Sequence, residues 1–386
     1  MRSLLSTKEQ RQLRLLEILI QKRDWIRLNE LAQTLECTER ILKNDLNELR
    51  TAFPTFKIQS SINGIMLNLD TAASIEDIYI YFLSHSQSFQ LLEYMFFNEG
   101  LPIYRTVEKL HSSNANLYRL GNRITTILSK QFQIELSFTP TSLNGNEIDI
   151  RYFYAQYFSE RYYFLDWPFP DISEKVITEF ADYFYKSTNY PMRFAIYRMY
   201  KLMLAISIHR VKNGHFIDLP NHFYQDYYPV LMNLPDFEDK LAYFSQQFGL
   251  EMTPDIVAQI FISFLQNDIF LDPQQFFDSL NKNDESRYSY QLLSQILERL
   301  SKAFNIKFAN HDELIWHLHN TAYFERQETF STPLLFEQKR ITLEKFKVYF
   351  PDFMESARQE LAQYRQAIGQ HDHPEQLEHL MYTLFT

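Results

Sequence analysis

The polar side chains between Arg40 and Thr51 have the types and the spacing that DNA recognition requires. At about 100° per residue, one face of this segment carries two cations, two amides and a hydroxyl, on Arg40, Lys43, Asn44, Asn47 and Thr51. Arginine and lysine pair with phosphates or guanine edges, and asparagine can bind adenine. Because any amphipathic helix has a solvated polar face, the pattern by itself fits a recognition helix and an ordinary surface helix equally.

The elements around this face predict a winged helix-turn-helix. Two apolar stripes at helical spacing flank a turn, and they consist of Leu28, Leu31, Ala32 and Leu35, and of Leu42, Leu46, Leu49 and Phe53. Thr38, between the stripes, is a suitable N-cap residue. Two β-like runs from Lys57 to Leu69 surround Asn63-Gly64, a dipeptide that favours a type I′ hairpin turn. The order helix, turn, helix, hairpin favours the recognition-helix interpretation.

A second copy of this order lies between Tyr104 and Ile150. Its predicted buried stripe is Leu117, Leu120, Ile124 and Leu128, and its opposite face carries Tyr118, Arg119, Asn122 and Thr126. Gly121 lies near the buried side, where it would permit close helix contact, and Asn144-Gly145 marks the predicted wing. This copy is less basic than the first, so it is either a second DNA contact, which we favour, or a packing domain.

Charge is distributed unevenly along the 386 residues. Residues 1 to 59 hold 11 Lys and Arg and 8 Asp and Glu, so their net charge is +3. The net charge of the whole chain is -10, so the remaining residues carry -13. A basic end joined to an acidic body suits a chain whose N-terminal part meets phosphates.

Seven glycines and the lack of a Gly-rich phosphate loop, metal-ligand cluster or nucleophile motif argue against an enzyme and against a cofactor.

Cellular location follows from cysteine usage and hydropathy. Cys37 is the single cysteine, so no internal disulfide can form. The first ten residues are polar, and no segment approaches the roughly 20 apolar residues of a membrane helix. We therefore expect a cytoplasmic protein without a membrane partner. A redox switch at Cys37 is conceivable, but a lone thiol without a basic cluster is usually a small buried residue.

The remainder of the chain predicts two tandem helical modules. The segment DWPFP, from Asp166 to Pro170, interrupts the helical pattern, and motifs then recur at an offset of 116 residues. Arg210 corresponds to Arg326 (326 - 210), and Pro235-Asp236-Phe237 corresponds to Pro351-Asp352-Phe353 (351 - 235). The predicted fold is mainly α, with winged helix-turn-helix domains at 1–70 and 71–165 and helical modules at 166–280 and 281–386.

Two histidines in the segment DELIWHLHNTAYFER could regulate the second module. His317 and His319 are two residues apart and so lie on different faces of a helix, which makes a shared metal ion improbable. Imidazole changes its charge near neutral pH and can accept a phosphoryl group. The alternative from the residues alone is that one histidine is hydrogen-bonded in the core and the other is solvated.

The order of two winged units and paired helical modules with LIWHLHNTAYFER resembles the Mga and RofA-like regulators of Gram-positive cocci. The resemblance covers essentially the whole chain and is carried by the first winged unit, by NGNEIDIRYFYAQYF and by the repeated modules, which look like sugar-phosphotransferase regulation domains (PRDs). It implies promoter DNA as ligand, control of surface or virulence-associated genes, and histidine phosphorylation by phosphotransferase-system phosphocarriers. Such regulators commonly continue into a domain similar to enzyme IIB, whereas this chain stops at Thr386.

Carried over residue by residue, the resemblance makes His319 the first phosphorylation candidate, because it lies seven residues before the module arginine, Arg326. His317 is second, and His379 in the final helix is third. In the first module the corresponding residues are Met203, Lys201 and Ser263. Phosphorylation is therefore not expected in the first module.

We conclude from the sequence that the chain is a DNA-binding transcription regulator that dimerises through its helical region. One rival is an RNA-binding antiterminator with the same modules, but those proteins begin with a small β-rich domain and not with helices. A second rival is a scaffold whose winged units bind protein. Replacement of Arg40 and Lys43 separates these possibilities, because a scaffold does not need either cation.

Overall fold

The computed structural model describes residues 1–70, 73–163, 166–185, 194–219, 232–261, 270, 273–324, 334–336, 338–370 and 374–385. These residues are mainly helical, with two antiparallel hairpins, as predicted. They divide into two compact units. Unit 1 comprises Met1–Asn144, Glu160–Asp166 and Leu334–Phe336, and unit 2 comprises Gly145–Ser159, Trp167–Pro333 and Glu337–Thr386. Within the described part of the chain, no helix is both long enough and apolar enough to cross a membrane.

The first winged helix-turn-helix opens unit 1. Its elements are a 3₁₀ turn (Arg2–Leu4), α1 (Thr7–Lys22), α2 (Leu28–Thr34), α3 (Glu39–Ala52), β1 (Phe56–Ser61) and β2 (Gly64–Leu69). The second predicted stripe is buried along its whole length, and the first is buried except for Leu28, which is half-buried. Thr38 caps α3 as predicted, since its Oγ1 accepts a hydrogen bond from the Ile41 N–H at 3.3 Å.

The turn of the first wing lies one residue earlier than predicted. Ser61 pairs with Gly64, so the turn residues are Ile62 and Asn63, and Gly64 begins β2. Gly64 has a φ of +124°, and a Cβ there would lie 2.1 Å from the Ile26 carbonyl oxygen. Ile26 forms a β-bridge with Ile65 through hydrogen bonds of 2.9 and 2.8 Å. The glycine therefore serves this close backbone approach and not the turn.

Gly64→Ala is expected to lower the free energy of unfolding by about 2–4 kcal/mol, because it adds strain at positive φ and breaks the bridge to Ile26. Gly100→Ala is the matched control: its φ is +80°, but a Cβ there meets no atom within 4 Å. Thermal unfolding of both variants measures the difference. Equal losses in the two variants would contradict the role assigned to the contact with Ile26.

The second winged unit repeats the first at an offset of 75 residues. Its elements are α4 (Glu76–His85), α5 (Gln87–Phe97), α6 (Ile103–Lys109), α7 (Asn114–Gln131), β3 (Glu135–Phe138) and β4 (Thr141–Asn144). The start of α6 lies 75 residues after the start of α2 (103 - 28). The turn residues Glu36 and His111 correspond (111 - 36), with φ values of 51° and 46°. The prediction of a second winged helix-turn-helix is therefore confirmed.

Two details of this second unit differ from the prediction. The wing turn is at Thr139-Pro140 and not at Asn144-Gly145, because β3 pairs with β4 through Phe138 and Thr141. Gly121 admits the ring of Phe138, whose Cε2 would lie 2.4 Å from an added Cβ, so its close contact is with the wing and not with a helix. Of the predicted stripe, Leu117, Ile124 and Leu128 are buried and Leu120 is half-buried.

Unit 2 contains the repeated helical modules. Its helices are α8 (Glu147–Tyr162, whose last residues belong to unit 1), α9 (Glu174–Tyr185), α10 (Phe194–Lys212), α11 (Phe237–Phe248), α12 (Pro254–Phe261), α13 (Pro273–Ser279), α14 (Asp284–Phe304), α15 (His311–Phe324), α16 (Gln338–Tyr349), α17 (Pro351–Ala367) and α18 (Pro374–Phe385). The packing recurs: α10 contacts α9 and α12, and α15 contacts α14 and α18. Arg326, the predicted partner of Arg210, lies outside the described residues.

Residues Leu334–Phe336 are remote in sequence from the rest of unit 1 but belong to it. The carboxylate of Glu160 accepts hydrogen bonds from the backbone N–H groups of Leu334, Leu335 and Phe336 at 2.7, 2.9 and 3.2 Å. Arg2 Nη2 donates to the Leu335 carbonyl oxygen at 3.1 Å. A single buried carboxylate thus satisfies three backbone donors of a segment that has no regular structure.

Candidate nucleic-acid interface

The polar face of α3 is exposed as the sequence predicted. Arg40, Lys43, Asn44, Asn47 and Thr51 are all exposed, and they lie opposite the buried stripe of the same helix. Within the described residues, no hydrogen bond or ion pair engages the side chains of Arg40, Lys43 and Asn44. Their charges and donors are therefore available to a ligand.

Two of the three acidic residues of α3, Asp45 and Glu48, form hydrogen bonds with side chains of α1. Asp45 is 2% exposed and accepts hydrogen bonds from Arg11 Nε at 2.6 Å and Gln12 Nε2 at 3.1 Å. The hydrogen bond to Asp45 raises the pKa of Arg11 despite partial burial. Hydrogen bonds from Lys8 and Gln12 lower the pKa of Glu48. Cations of α1 offset these two carboxylates, so the two cations of the exposed face outnumber the one remaining acidic residue of α3, Glu39.

Arg50 joins α3 to the wing, a role that the sequence did not reveal. Its Nε donates to the Ile58 carbonyl oxygen at 3.0 Å, its Nη1 donates to Asn47 Oδ1 at 3.1 Å, and its Nη2 contacts Ser60 Oγ. Helical spacing alone places Arg50 at the edge of the polar face. The sequence gives no sign of these contacts, because β1 approaches this edge of the helix only in the folded unit.

The corresponding face of α7 is exposed but chemically different. Tyr118 is 44% exposed, and Arg119 and Asn122 are exposed as well. At the offset of 75, Tyr118 replaces Lys43 and Arg119 replaces Asn44, while Ala115 stands where the first unit has Arg40. The Tyr118 ring packs edge-on against Phe138, with ring centroids 5.2 Å apart, and Arg119 Nη2 donates to Asn116 Oδ1 at 2.9 Å. The second face thus carries one cation where the first carries two.

His319, the first phosphorylation candidate, lies in the core of unit 2. It is fully buried, and its Nδ1 is 2.8 Å from Ser289 Oγ, which is 2.7 Å from the Tyr364 hydroxyl. Its ring stacks on Tyr323 with centroids 4.3 Å apart. A phosphate donor cannot reach a ring in this position unless the surrounding helices separate.

The other two candidates occupy different environments. His317 is half-buried, and its Nε2 lies 3.6 Å from a carboxylate oxygen of Glu313. His379 is 6% exposed, and its Nε2 is 3.0 Å from Lys339 Nζ. Burial, and then the charge of Lys339, hold the pKa of His379 well below its ordinary value. Of the three histidines, His317 is the most accessible.

Cys37 and potential metal ligands offer no further chemistry among the described residues. Cys37 is half-buried, and burial raises the pKa of its thiol, which disfavours the reactive thiolate. Across the described ranges, no group of three or more His, Cys, Asp or Glu side chains could hold a metal ion.

By architecture, the chain is a DNA-binding transcription regulator: it has two winged helix-turn-helix units, an exposed helix face with two cations, and repeated helical modules. It belongs to the Mga family of transcriptional regulators. Residues 6–65 match the helix-turn-helix domain of the M protein trans-acting positive regulator (MGA), residues 71–158 match the Mga helix-turn-helix domain, and residues 173–386 match the MGA PRD domain. The resemblance inferred from the sequence is thereby confirmed.

Similar proteins carry regulatory names. A putative trans-acting regulator of Streptococcus pneumoniae serotype 4 (strain ATCC BAA-334 / TIGR4) is 38% identical over 387 residues, which cover 100% of this chain and 78% of that protein. The capsule synthesis positive regulator AcpB of Bacillus anthracis is 21% identical over 92% of this chain and 76% of its own length. AcpA, a second capsule synthesis positive regulator of that organism, is 25% identical over 53% of this chain and 43% of its own length.

Proposed function

We propose that this regulator binds double-stranded promoter DNA in the cytoplasm through the exposed face of α3, and that it activates surface or virulence-associated genes. The observation that carries the proposal is the pair Arg40 and Lys43, both exposed on one face of α3 and without a hydrogen bond or ion pair among the described residues. Lysine and arginine contacts to phosphates fix a recognition helix in the major groove, and asparagine contacts bases. Activation is supported by the names of the relatives described as positive regulators.

The proposed function is tested with duplex DNA from upstream of the protein's own coding sequence and with a random duplex of equal length. Fluorescence anisotropy across a salt series measures both affinities. Specific binding requires the upstream duplex to bind more tightly, with an affinity that falls as salt rises because counterions are released. No binding to either duplex would favour the scaffold, and binding to structured RNA alone would favour the antiterminator.

The α7 face is the second proposed contact, made by Tyr118, Arg119 and Asn122. Its exposure supports this role, while its smaller charge predicts a smaller share of the phosphate contacts. A packing domain would leave these side chains without a DNA partner. Footprinting of the upstream duplex by the wild type and by Arg119→Ala with Asn122→Ala separates the two possibilities, because the double variant loses protected base pairs only if the α7 face contacts DNA.

We also propose that the helical region forms a homodimer, which would bring together the winged helix-turn-helix units of two chains. Supporting this are the contiguous side chains of Val348, Tyr349 and Phe350, which are 78%, 75% and 55% exposed. Exposed apolar clusters mark interaction surfaces. Tyr349→Ser with Phe350→Ser is expected to raise the dimer dissociation constant by about tenfold or more in light scattering. Phe216→Ser, at an isolated phenylalanine of equal exposure, is the control.

Phosphorylation by phosphotransferase-system phosphocarriers is proposed as the regulatory input, with His319, His317 and His379 as acceptors. Accessibility favours His317 over the buried His319 and His379. Labelling from phosphoenolpyruvate through the general phosphocarriers is expected to fall in His317→Ala and to persist in His379→Ala. The reverse result, with label lost only in His319→Ala, would show instead that the core around Ser289 opens. Phosphorylation adds about two negative charges, so its effect on light scattering measures any shift of the dimer.

A further inference from the structure

The side chain of Asn47 is oriented by Arg50 before any DNA is bound. A guanidinium only donates hydrogen bonds. The Asn47 atom 3.1 Å from Arg50 Nη1 is therefore the carbonyl oxygen Oδ1, and this assignment follows from chemistry. With Oδ1 engaged, the exposed amide presents the two N–H groups of Nδ2 to a ligand.

Arg50 is itself held in place by the wing. Its Nε bond to the Ile58 carbonyl oxygen at 3.0 Å and its contact with Ser60 fix the plane of the guanidinium against β1. The planar fork can make all three contacts at once, which the single ammonium of lysine cannot do with the same geometry. The wing thus sets the orientation of a side chain on the recognition helix.

In the second winged unit, the residue that corresponds to Arg50 forms a hydrogen bond with the wing but none with the corresponding asparagine among the described residues. At the offset of 75, Thr125 corresponds to Arg50 and Asn122 to Asn47. Thr125 Oγ1 accepts a hydrogen bond from the Leu136 N–H at 3.0 Å, so it also ties the helix to the first strand of its wing. Among the described residues, no side chain forms a hydrogen bond with the Asn122 amide. A hydrogen bond between the helix and the wing therefore does not require a hydrogen bond to the asparagine, and the bond between Arg50 and Asn47 is specific to the first unit.

We propose that Arg50 is a positioning residue that fixes Asn47 as a hydrogen-bond donor and thereby makes α3 prefer guanine to adenine at the base pair that Asn47 meets. Guanine offers two acceptors, N7 and O6, in the major groove, whereas adenine offers one acceptor beside the N6 donor. Asparagine binds adenine through both edge atoms only when its carbonyl oxygen faces the N6 amino group, whereas the carbonyl oxygen of Asn47 faces Arg50. This inference rests on the proposed binding of DNA by α3, and it specifies which base that helix selects.

The test is selection of bound duplexes from a pool with a random core of about 20 base pairs, followed by sequencing. The full chain is compared with Asn47→Ala, Asn47→Asp, Arg50→Lys and Gln59→Ala. The wild type is expected to enrich guanine over adenine by at least about 5-fold at one position, the lower end of discrimination by a good base contact. Asn47→Ala and Asn47→Asp are expected to lose this preference, and Gln59→Ala, at an exposed residue of β1 that forms no hydrogen bond with Arg50, is expected to keep it.

Arg50→Lys keeps the charge and is expected to shift the same position towards adenine while preferences elsewhere persist. Asn47→Asp guards against a folding artefact, because Arg50 retains its wing contacts and a carboxylate partner while the amide donors are lost. An unchanged guanine preference in Arg50→Lys would overturn the positioning role. Adenine at the Asn47-dependent position of the wild type would also overturn it. A wild type that enriches no sequence would overturn the proposed function itself.

Discussion

Arg40→Ala combined with Lys43→Ala is expected to weaken binding to the upstream duplex by at least about 30-fold. Loss of a base-contacting arginine costs about 1–3 kcal/mol, and loss of a phosphate-contacting lysine weakens binding to all sequences. At about 1 kcal/mol for each residue, the sum corresponds to the stated factor. The slope of log affinity against log salt is expected to fall by about one to two units, because fewer counterions are released. Anisotropy titrations across the salt series measure both quantities.

The control for this prediction removes the same two positive charges elsewhere. Arg287→Ala with Lys302→Ala removes two exposed cations of α14, each of which pairs with an acidic residue of the same helix. This variant is expected to bind DNA as the wild type does. If both double variants lose affinity equally, net charge and not the α3 face is responsible. If neither loses affinity, α3 is not the recognition helix.

Glu147→Gln is expected to lower the free energy of unfolding of unit 2 by about 3–5 kcal/mol, the usual cost of breaking a buried ion pair. Glu147 accepts hydrogen bonds from Arg151 Nε at 2.9 Å and from Arg210 Nη2 at 2.7 Å. The two guanidinium groups are 0% and 1% exposed. Burial lowers the pKa of Arg151, so the carboxylate counteracts a strong desolvation penalty. An amide removes the negative charge but keeps the shape.

Chemical denaturation of the full chain measures this effect. Glu174→Gln is the matched control, because its partner Lys201 forms a pair in which the glutamate is 45% exposed. Such a pair contributes about 0–1 kcal/mol. Arg151 also donates to the carbonyl oxygens of Gln259 and His215, so these contacts alone could hold it. A loss in Glu147→Gln as small as that in Glu174→Gln would show that they suffice.

Local sequence patterns were enough to predict the architecture and the candidate DNA-binding face. The stripes that end at Leu35 and Phe53 fixed which sides of α2 and α3 are buried, and the recurrence of Pro-Asp-Phe at an offset of 116 residues revealed the paired modules. These signals are local, because burial of one face of a helix follows from its own period of about 3.6 residues. Arg40 and Lys43 were found for the same reason, since a residue opposite a buried stripe must be exposed.

Contacts between residues that are remote in sequence could not be predicted in this way. Arg50 contacts a wing strand, His319 joins a polar chain with Ser289 and Tyr364, and Glu147 faces Arg210 across 63 residues of sequence. The turn of the first wing also differs from its predicted place, because Gly64 is required by the close approach of the Ile26 backbone. Helical periodicity states that a side chain is buried or exposed but not which side chain it meets. Hydrogen bonds and ion pairs between distant segments depend on the packing of whole elements, which local sequence patterns do not encode.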